Sequence, residues 1–196
     1  ERRRVLIVGD VMVDRFIAGT VTRISPEAQV PVVRFQSEYA RLGGAANVAH
    51  NLAALDAHVA LVGVVGADET AARLRTLLNS AGIATDGLVV DPERPTVEKV
   101  RIVAGRNQQV ARIDYEDDRD VSDEIEARVA ERVAALGADA DVLLVSDYLK
   151  GTITPGVMQA LLALKERGVP LLVDPKIPHL HCYRGATVVT PNNHEA

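Results

Sequence analysis

Polar side chains follow four apolar runs in this chain, each at the point where a buried strand would end. The four positions are Gly9-Asp10, Ser146-Asp147, Asp174-Pro175-Lys176 and Pro191-Asn192. In open sheets of parallel strands, ligands bind in the crevice beyond the carboxyl ends of the strands. A single Asp or Asn after a strand commonly makes a turn or caps a helix. Four such positions in one chain favour a shared pocket over four unrelated turns.

A pair of glycines marks a second candidate binding element. Gly43 and Gly44 directly precede a predicted helix at 45–55, which is rich in small residues and carries Asn47 in its first turn. Glycine lets a ligand approach the exposed amide groups of a helix start, which suit hydroxyl groups or an anion. The alternative is a tight turn into a helix whose alanines pack closely on a sheet, and both interpretations can hold together.

The elements that must position these residues alternate along the chain. Buried strands are predicted at 5–8, 142–145, 171–173 and 187–190, because these runs are rich in β-branched residues and Leu. Three clear helical faces are predicted: Leu74, Leu77, Leu78 and Ala81 before Gly82; Ile125, Val129, Val133 and Leu136; and a helix from Thr154 and Pro155 to Gly168. The alternation predicts an α/β fold with a mainly parallel sheet and helices on both faces.

Two stretches, about 16–35 and 96–114, do not fit that alternation. In the second, Val97, Lys99, Arg101 and Val103 share one side of an extended chain, while Val100 and Ile102 share the other. We predict that the two stretches pair into a small separate β-sheet that acts as a lid over the ligand. The length and the 47% hydrophobic content otherwise suit a single domain over 1–196.

Composition excludes several classes of function. The net charge of -5 gives no basic surface for nucleic acid, and no apolar segment is long enough to cross a bilayer. The only cysteine, Cys182, cannot form an internal disulfide, which fits a reducing cytoplasm. Neither the Gly-x-Gly-x-x-Gly pattern of dinucleotide-binding folds nor a P-loop motif occurs, which disfavours both chemistries.

Residues 43–53, with the sequence GGAANVAHNLA, resemble the first signature of the ribokinase/PfkB carbohydrate kinases. Six further motifs resemble the D-glycero-β-D-manno-heptose 7-phosphate kinases of that family: 9–15, 23–28, 106–109, 146–151, 174–176 and 183–187. The resemblance implies a ribokinase-like fold and transfer of phosphate from ATP to the C1 hydroxyl of heptose 7-phosphate. The product would be heptose 1,7-bisphosphate, an intermediate towards the ADP-heptose of the lipopolysaccharide core.

The resemblance also assigns binding residues. Asp14, Gly44, Asn47 and Asp147 are expected to hold the sugar. Residues 192–195 resemble the Asn-x-x-Glu motif, in which Asn192 lies near the ATP phosphates and Glu195 organises Mg²⁺ through water. Mg²⁺ prefers oxygen ligands and retains waters, so one carboxylate is a reasonable protein contribution. Asn193 and His194 are placed at the nucleotide by position only.

A sugar phosphate adds a dianion, so cations should line one end of the pocket. The candidates are Lys99, Arg101, Arg106, Arg112, Lys150 and Lys176. Lys99 and Arg101 can equally form a solvated face of the lid, whereas the last three lie nearer the matched motifs. We expect at least two of Arg112, Lys150 and Lys176 to contact the substrate, with Lys176 shared with the ATP phosphates.

The catalytic base is the missing part of the pattern. Phosphoryl transfer needs positioned charge and a group that accepts the hydroxyl proton. In the family that group is the Asp of a Gly-Ala-Gly-Asp motif, which does not occur in this sequence and is expected beyond Ala196. The chain begins with Glu and ends in what resembles the opening of another element, so we expect an incomplete kinase domain, inactive as 1–196 alone. Asp10, Asp147 and Asp174 receive binding roles, and no catalytic residue is named.

Lid sheets in this family often pair between subunits, so a homodimer through the lid is expected. Two alternatives remain open. One is another ribokinase-type kinase that acts on an unphosphorylated sugar or a nucleoside, which a comparison of substrates would distinguish. The other is a non-catalytic sugar-binding or regulatory module, against which a downstream Gly-Ala-Gly-Asp would argue.

Overall fold

The computed structural model describes residues 2–105 and 108–195, which form two sheets and four α-helices. In chain order the elements are β1 (Arg4–Gly9), β2 (Val11–Ile24), β3 (Pro31–Gly43), α1 (Gly44–Ala54), β4 (His58–Val65), α2 (Glu69–Ser80), β5 (Leu88–Val90), β6 (Val97–Ala104), β7 (Gln108–Tyr115), α3 (Asp123–Gly137), β8 (Val142–Ser146), α4 (Pro155–Glu166), β9 (Leu171–Asp174) and β10 (Val188–Val189). A short 3-10 helix, Ile177–His179, follows β9. Among the described helices, none has the length and apolarity to cross a membrane.

The main sheet has six parallel strands in the order β10-β9-β8-β1-β4-β5. Because successive side chains of a strand point to opposite faces, β1 supplies Leu6 and Val8 to one core and Val5 and Ile7 to the other. Helices α3 and α4 cover the first face, and α1 and α2 cover the second. The predicted α/β architecture, with a mainly parallel sheet between helices, is confirmed.

The four predicted strands and the predicted helix ends are present. Thr154 caps α4, since its hydroxyl accepts a hydrogen bond from the Val157 N–H, and Gly82 follows α2 with a positive φ of 72°. Strands β4 and β5 are not predicted from the sequence. The run of β4 contains Gly63, which lowers its strand propensity but is required because a Cβ there would press on Val11. Strand β5 has only three residues.

The second sheet has four strands in the order β3-β2-β6-β7, and we call it the lid sheet. Strand β2 runs antiparallel to β3 and parallel to β6, and β6 runs antiparallel to β7. The predicted separate sheet is therefore present. Strands β2 and β3 extend beyond the predicted stretch, because Val11, Val13 and Leu42 are buried in the main core.

Three positions named in the sequence analysis lie outside the described residues. Arg106 and Asn107 belong to one of the matched motifs, and Arg106 is also a candidate phosphate ligand. Ala196 is the position beyond which the catalytic base is expected. The expectations attached to these three residues therefore stay predictions.

Gly44 joins the lid sheet to α1 in a conformation that requires glycine. Its φ is +53°, and the neighbouring Ala45 N–H donates a hydrogen bond of 2.9 Å to the backbone carbonyl of Asp10. A Cβ on Gly44 would overlap that same carbonyl oxygen. The glycine therefore fixes the start of α1 against the end of β1.

Replacing Gly44 by Ala should destabilise the fold by more than the cost of placing Ala at a positive φ. The matched control is Gly82→Ala, because Gly82 also has a positive φ but open space around it. We expect Gly82→Ala to lower the free energy of unfolding by about 1 kcal/mol and Gly44→Ala by about 2 kcal/mol more, since it adds a steric overlap. Urea unfolding measures both, and equal losses would contradict the proposed contact.

Candidate functional site

The carboxylate of Asp10 ties the end of β1 to the loop after β8. One of its oxygens accepts hydrogen bonds from the backbone N–H groups of Tyr148, at 2.7 Å, and Lys150, at 3.1 Å. The other accepts the N–H of Thr152 at 3.1 Å. Burial raises the pKa of Asp10, while these N–H donors act in the opposite direction. Asp10 therefore fixes the backbone conformation of the loop after β8.

Asp147, which the sequence predicts to bind the sugar, is completely buried. Its carboxylate accepts hydrogen bonds from the Leu149 N–H at 2.7 Å and the Tyr183 hydroxyl at 2.5 Å. The same oxygen that bonds to Tyr183 lies 2.6 Å from Nδ1 of His179. A direct sugar contact by Asp147 would require these bonds to be exchanged, so that contact stays a prediction.

Tyr148 is the point where charges from the lid sheet and from the strand ends meet. The side chain is partly exposed, and Lys176 Nζ lies 5.7 Å from the centre of its ring. Burial raises the pKa of the Tyr148 phenol, the Asp174 carboxylate raises it further, Lys176 opposes, and Asp14 and Asp10 add to the rise. Asp14 belongs to β2 and Asp174 to β9. Carboxylates from both sheets thus act on the pKa of one phenol.

The predicted residues Asp14 and Gly44 lie together. The Asp14 carboxylate forms an ion pair with Arg101 on the neighbouring strand β6. Its second oxygen lies 2.7 Å from the place that a Cβ on Gly43 would occupy, beside the start of α1. A carboxylate therefore faces the amide end of a helix that begins with two glycines, an arrangement that suits hydroxyl groups.

Asn47 lies in the first turn of α1. It is exposed and lines a cavity of about 500 Å³ together with Arg41 and His50. Arg41 also lines a second cavity, next to Phe16 and Arg101. The structure thus places Asn47 near Arg41, while Asp14 and Gly44 lie at the base of the lid sheet.

Lys150 belongs to a ladder of alternating charges. Its Nζ lies 3.0 Å from Glu116 and 2.5 Å from Asp118. Lys99 Nζ lies 2.8 Å from the other oxygen of Glu116 and 3.3 Å from Asp114. Burial alone would raise the pKa of Glu116, but the hydrogen bonds from Lys99 and Lys150 together hold it below its usual value. The ammonium group of Lys150 is thus neutralised within the protein.

The two other predicted phosphate contacts also have carboxylate partners. Arg112 Nε lies 2.9 Å from Asp114, and Lys176 Nζ pairs with Glu195. The backbone N–H of Lys176 donates a hydrogen bond of 3.1 Å to the Tyr183 hydroxyl. These pairings do not test a substrate contact, but a phosphate at Arg112, Lys150 or Lys176 would have to share the cation with a carboxylate.

Residues 192–195 hold one another in a reciprocal turn. The Asn192 side-chain oxygen accepts the N–H groups of His194, at 2.8 Å, and Glu195, at 3.2 Å, while a Glu195 oxygen accepts the Asn192 N–H at 3.1 Å. This is the hydrogen-bond pattern of a helix capping box, which explains the spacing of Asn and Glu without a ligand. Asn193 and His194 are exposed.

The carboxylates of Asp174 and Glu195 lie in each other's field beside Lys176. Burial raises the pKa of Asp174, Lys176 lowers it, and Glu195 raises it again. Within the described ranges no three His, Cys, Asp or Glu side chains lie close enough together to hold a metal. The donors available here are one or two carboxylates, and carboxylate oxygen is the type of protein ligand by which Mg²⁺ is held next to phosphates.

One residue of this region, Arg41, is not predicted from the sequence, and two others, Tyr148 and Tyr183, have no predicted role. Arg41 lay beyond the predicted lid stretch, although its spacing of two from Tyr39 places both on one face of β3. Tyr148 and Tyr183 stood inside matched motifs but had no role, because a sequence does not reveal which buried carboxylate a tyrosine contacts.

Comparisons with known proteins give similarity along the whole chain. The model of the family described as "pfkB family carbohydrate kinase" matches residues 2–196. A "Bifunctional protein HldE" of Gluconobacter oxydans is 48% identical over 195 residues, covering 98% of this chain and 40% of that protein. A "D-beta-D-heptose 7-phosphate kinase" of Bordetella bronchiseptica is 50% identical over 196 residues, covering 99% of this chain and 60% of that protein. The chain thus spans about 40 to 60% of the length of these curated relatives.

Solved structures support the fold. The tetrameric inhibited form of phosphofructokinase-2 from Escherichia coli matches with a TM-score of 0.75 at 18% identity, over 100% of this chain and 62% of that chain. Arabidopsis thaliana ribokinase complexed with ribose and ATP matches with a TM-score of 0.69 at 18% identity, over 100% and 62%. At this identity the likeness shows the fold alone, and the ribokinase-like prediction is confirmed.

Replacing Glu116 by Gln should weaken the fold in a pH-dependent way. The folded-state pKa of Glu116 is lowered, so its contribution is present above the unfolded pKa of about 4.3 and is lost as the pH falls through the folded value. We expect Glu116→Gln to lower the free energy of unfolding by about 1 to 2 kcal/mol at pH 7. At about pH 3 the difference from the unmodified protein should shrink markedly.

Urea unfolding at the two pH values measures this effect. Glu131→Gln, at an exposed position of α3, is the control and should change stability little at either pH. A Glu116→Gln loss of the same size at both pH values would contradict the account.

Proposed function

We propose, because the chain belongs to the pfkB family of carbohydrate kinases, that it forms the sugar-binding part of a heptose 7-phosphate kinase. The reaction would transfer a phosphoryl group from ATP to the C1 hydroxyl of D-glycero-β-D-manno-heptose 7-phosphate and give heptose 1,7-bisphosphate. The observation that carries the choice of substrate is the 50% identity, over 99% of the chain, to the relative named D-beta-D-heptose 7-phosphate kinase. In the cytoplasm, where ATP is available, such a product would feed lipopolysaccharide core synthesis.

Sugar binding is proposed at the base of the lid sheet. An ionised carboxylate accepts several hydrogen bonds, so Asp14 can keep Arg101 and still accept sugar hydroxyls. The backbone at Gly44 and the side chain of Asn47 would complete the contacts from the start of α1. Asp147 is proposed to support the sugar site by fixing the loop that carries Tyr148.

The nucleotide is proposed to lie beside β9 and residues 192–195. Lys176 would face the ATP phosphates, and Asn192, Asn193, His194 and Glu195 would lie next to them. Glu195 would hold Mg²⁺ through water, and the bound ion would neutralise phosphate charge. The protein's own part is to keep Lys176 in place, through the Glu195 carboxylate and the Tyr183 hydroxyl.

No residue of this chain is proposed as the catalytic base. Asp10 already accepts three backbone hydrogen bonds, and the Asp147 carboxylate is buried and already engaged by other side chains of the protein. Both carboxylates therefore support the loop. The proton acceptor is expected beyond Ala196, on a Gly-Ala-Gly-Asp motif in another part of the full-length protein.

A homodimer through the lid sheet stays a proposal of its own. It is supported by the large apolar side chains that β2, β3 and their connection expose: Ile24, Val30 and Phe35 are 58, 53 and 66% exposed. A monomeric mass of the full-length protein in solution would count against it.

Activity of the full-length protein tests the function directly. Heptose 7-phosphate, ribose, fructose and adenosine are each supplied with ATP and Mg²⁺, and ADP release and the phosphorylated product are measured. We expect the highest kcat/KM with heptose 7-phosphate and a product phosphorylated at C1. Preference for an unphosphorylated sugar or nucleoside would favour the second kind of kinase, and no turnover with any substrate would favour a binding module.

Replacing Asp14 by Asn should weaken the use of the sugar and leave ATP binding unchanged. Each hydrogen bond from a hydroxyl to the carboxylate contributes about 1.5 to 3 kcal/mol, so kcat/KM for heptose 7-phosphate should fall about 10- to 100-fold per lost bond. The KM for ATP should stay the same. Asp86→Asn, at an exposed position far along the chain, is the control. Unchanged kinetics for Asp14→Asn would remove Asp14 from the sugar site.

A further inference from the structure

The face of the lid sheet that carries Asp14 also carries an aromatic pair flanked by two arginines. The rings of Phe16 and Tyr39 are stacked, with centroids 4.8 Å apart and an interplanar angle of 9°. The Arg41 guanidinium carbon lies 5.7 Å from the centre of the Phe16 ring and 5.2 Å from that of Tyr39. The Arg101 guanidinium carbon lies 5.4 Å from the same Phe16 ring. Two cations are thus held against one aromatic surface.

Strand register places this cluster next to the proposed sugar site. Phe16 on β2 stands opposite Tyr39 on β3 and Arg101 on β6, while Asp14 stands opposite Arg41. Asp14 and Phe16 are two residues apart, so their side chains leave the same face of β2. The step between them along the strand is about 6.6 Å. The aromatic pair therefore lies one step farther out on the lid than Asp14.

The charges of this cluster do not balance within the protein. Arg101 forms an ion pair with the Asp14 carboxylate, which is the one negative charge of the cluster. Across residues 2–105 and 108–195, Arg41 forms no ion pair with a carboxylate, although Arg112, Lys150 and Lys176 all do. Arg41 and Arg101 thus supply two positive charges against one negative charge, which leaves the cluster ready for an anion.

A cavity of about 340 Å³ lies over the cluster, and its wall has the chemistry of an anion site. Val103 and Gln109 complete the lining formed by the two aromatic rings and the two arginines. Guanidinium groups bind phosphate through paired N–H donors, and stacking on an aromatic ring keeps their planes oriented. A Gln side chain adds an amide donor.

We propose that Arg41, together with Arg101, binds the phosphate that the sugar substrate already carries. The inference rests on the proposed function, and it names the residues that would select a phosphorylated sugar. With the sugar ring at Asp14, the exocyclic carbons C6 and C7 and the ester oxygen of heptose 7-phosphate would span the distance along β2 from Asp14 to Phe16. Arg101 would then contact both the Asp14 carboxylate and the phosphate of the substrate. A sugar without phosphate leaves Arg41 without its anion, which gives the site its selectivity.

The test measures binding as well as turnover by Arg41→Ala in the full-length protein. Calorimetric titration with heptose 7-phosphate in the absence of ATP gives a Kd that does not depend on catalysis. We expect the Kd, and the KM in the kinase assay, to rise about 10- to 100-fold, because one charge-assisted pair is lost. The affinity for the unphosphorylated heptose and the KM for ATP should not change. Arg41→Lys keeps the charge but not the paired donors. Its Kd for heptose 7-phosphate should therefore lie between those of the unmodified protein and Arg41→Ala.

Arg34→Ala is the matched control, since it removes one positive charge from an exposed position of β3, the strand that also carries Arg41. Its kinetics should resemble those of the unmodified protein. Because Arg41 is exposed, Arg41→Ala should keep its far-ultraviolet circular dichroism spectrum and melting temperature. A folded Arg41→Ala with an unchanged Kd for heptose 7-phosphate would overturn the phosphate site, as would an equal loss of affinity for the phosphorylated and unphosphorylated sugars.

The same titration separates this inference from the proposed function. If the protein binds heptose 7-phosphate through Arg41 but does not phosphorylate it, the proposed reaction fails and the phosphate site stands. If it phosphorylates heptose 7-phosphate and Arg41→Ala does so with the same KM, the phosphate site fails and the reaction stands.

Discussion

The hydrogen bonds of one buried residue, Asp10, hold the candidate site together. Its carboxylate accepts three backbone N–H groups from the loop that carries Tyr148 and Lys150, and its backbone carbonyl accepts the N–H of Ala45 at the start of α1. The end of β1, the loop after β8 and the start of α1 are thereby fixed to one another. Leaving such a carboxylate without donors would cost several kcal/mol, so the three elements hold their positions together.

The ion pairs distinguish the charged groups that support the site from those that are available to a ligand. The cations near the loop, Lys150 and Lys99, are neutralised by Glu116 and its neighbours. On the lid sheet, Asp14 and Arg101 form an ion pair, and Arg41 adds a second positive charge beside the Phe16 ring. A substrate that carries both hydroxyls and a phosphate matches this order of groups better than a neutral sugar does.

The fold, and the polar residues that gather at the ends of its strands, could be predicted because their signals are local: apolar runs, helix caps and the residue types that follow strands. The role of each carboxylate could not, because Asp10, which supports the loop, and Asp14, which is proposed to bind the sugar, are the same residue type in similar places of the sequence. Partners such as Tyr183 for Asp147 are distant in sequence and become visible only when the chain is folded. Arg41 was missed because β3 continues past the predicted end of the lid stretch at 35.

The central claim is that side chains from the lid sheet and from the strand ends surround a single sugar phosphate. A crystal structure of the full-length protein with heptose 7-phosphate bound tests it most directly. The account predicts sugar hydroxyls within hydrogen-bond distance of the Asp14 carboxylate, beside the start of α1, and the phosphate on the guanidinium group of Arg41. A sugar bound away from Asp14, with its phosphate in solvent or on another surface, would contradict it.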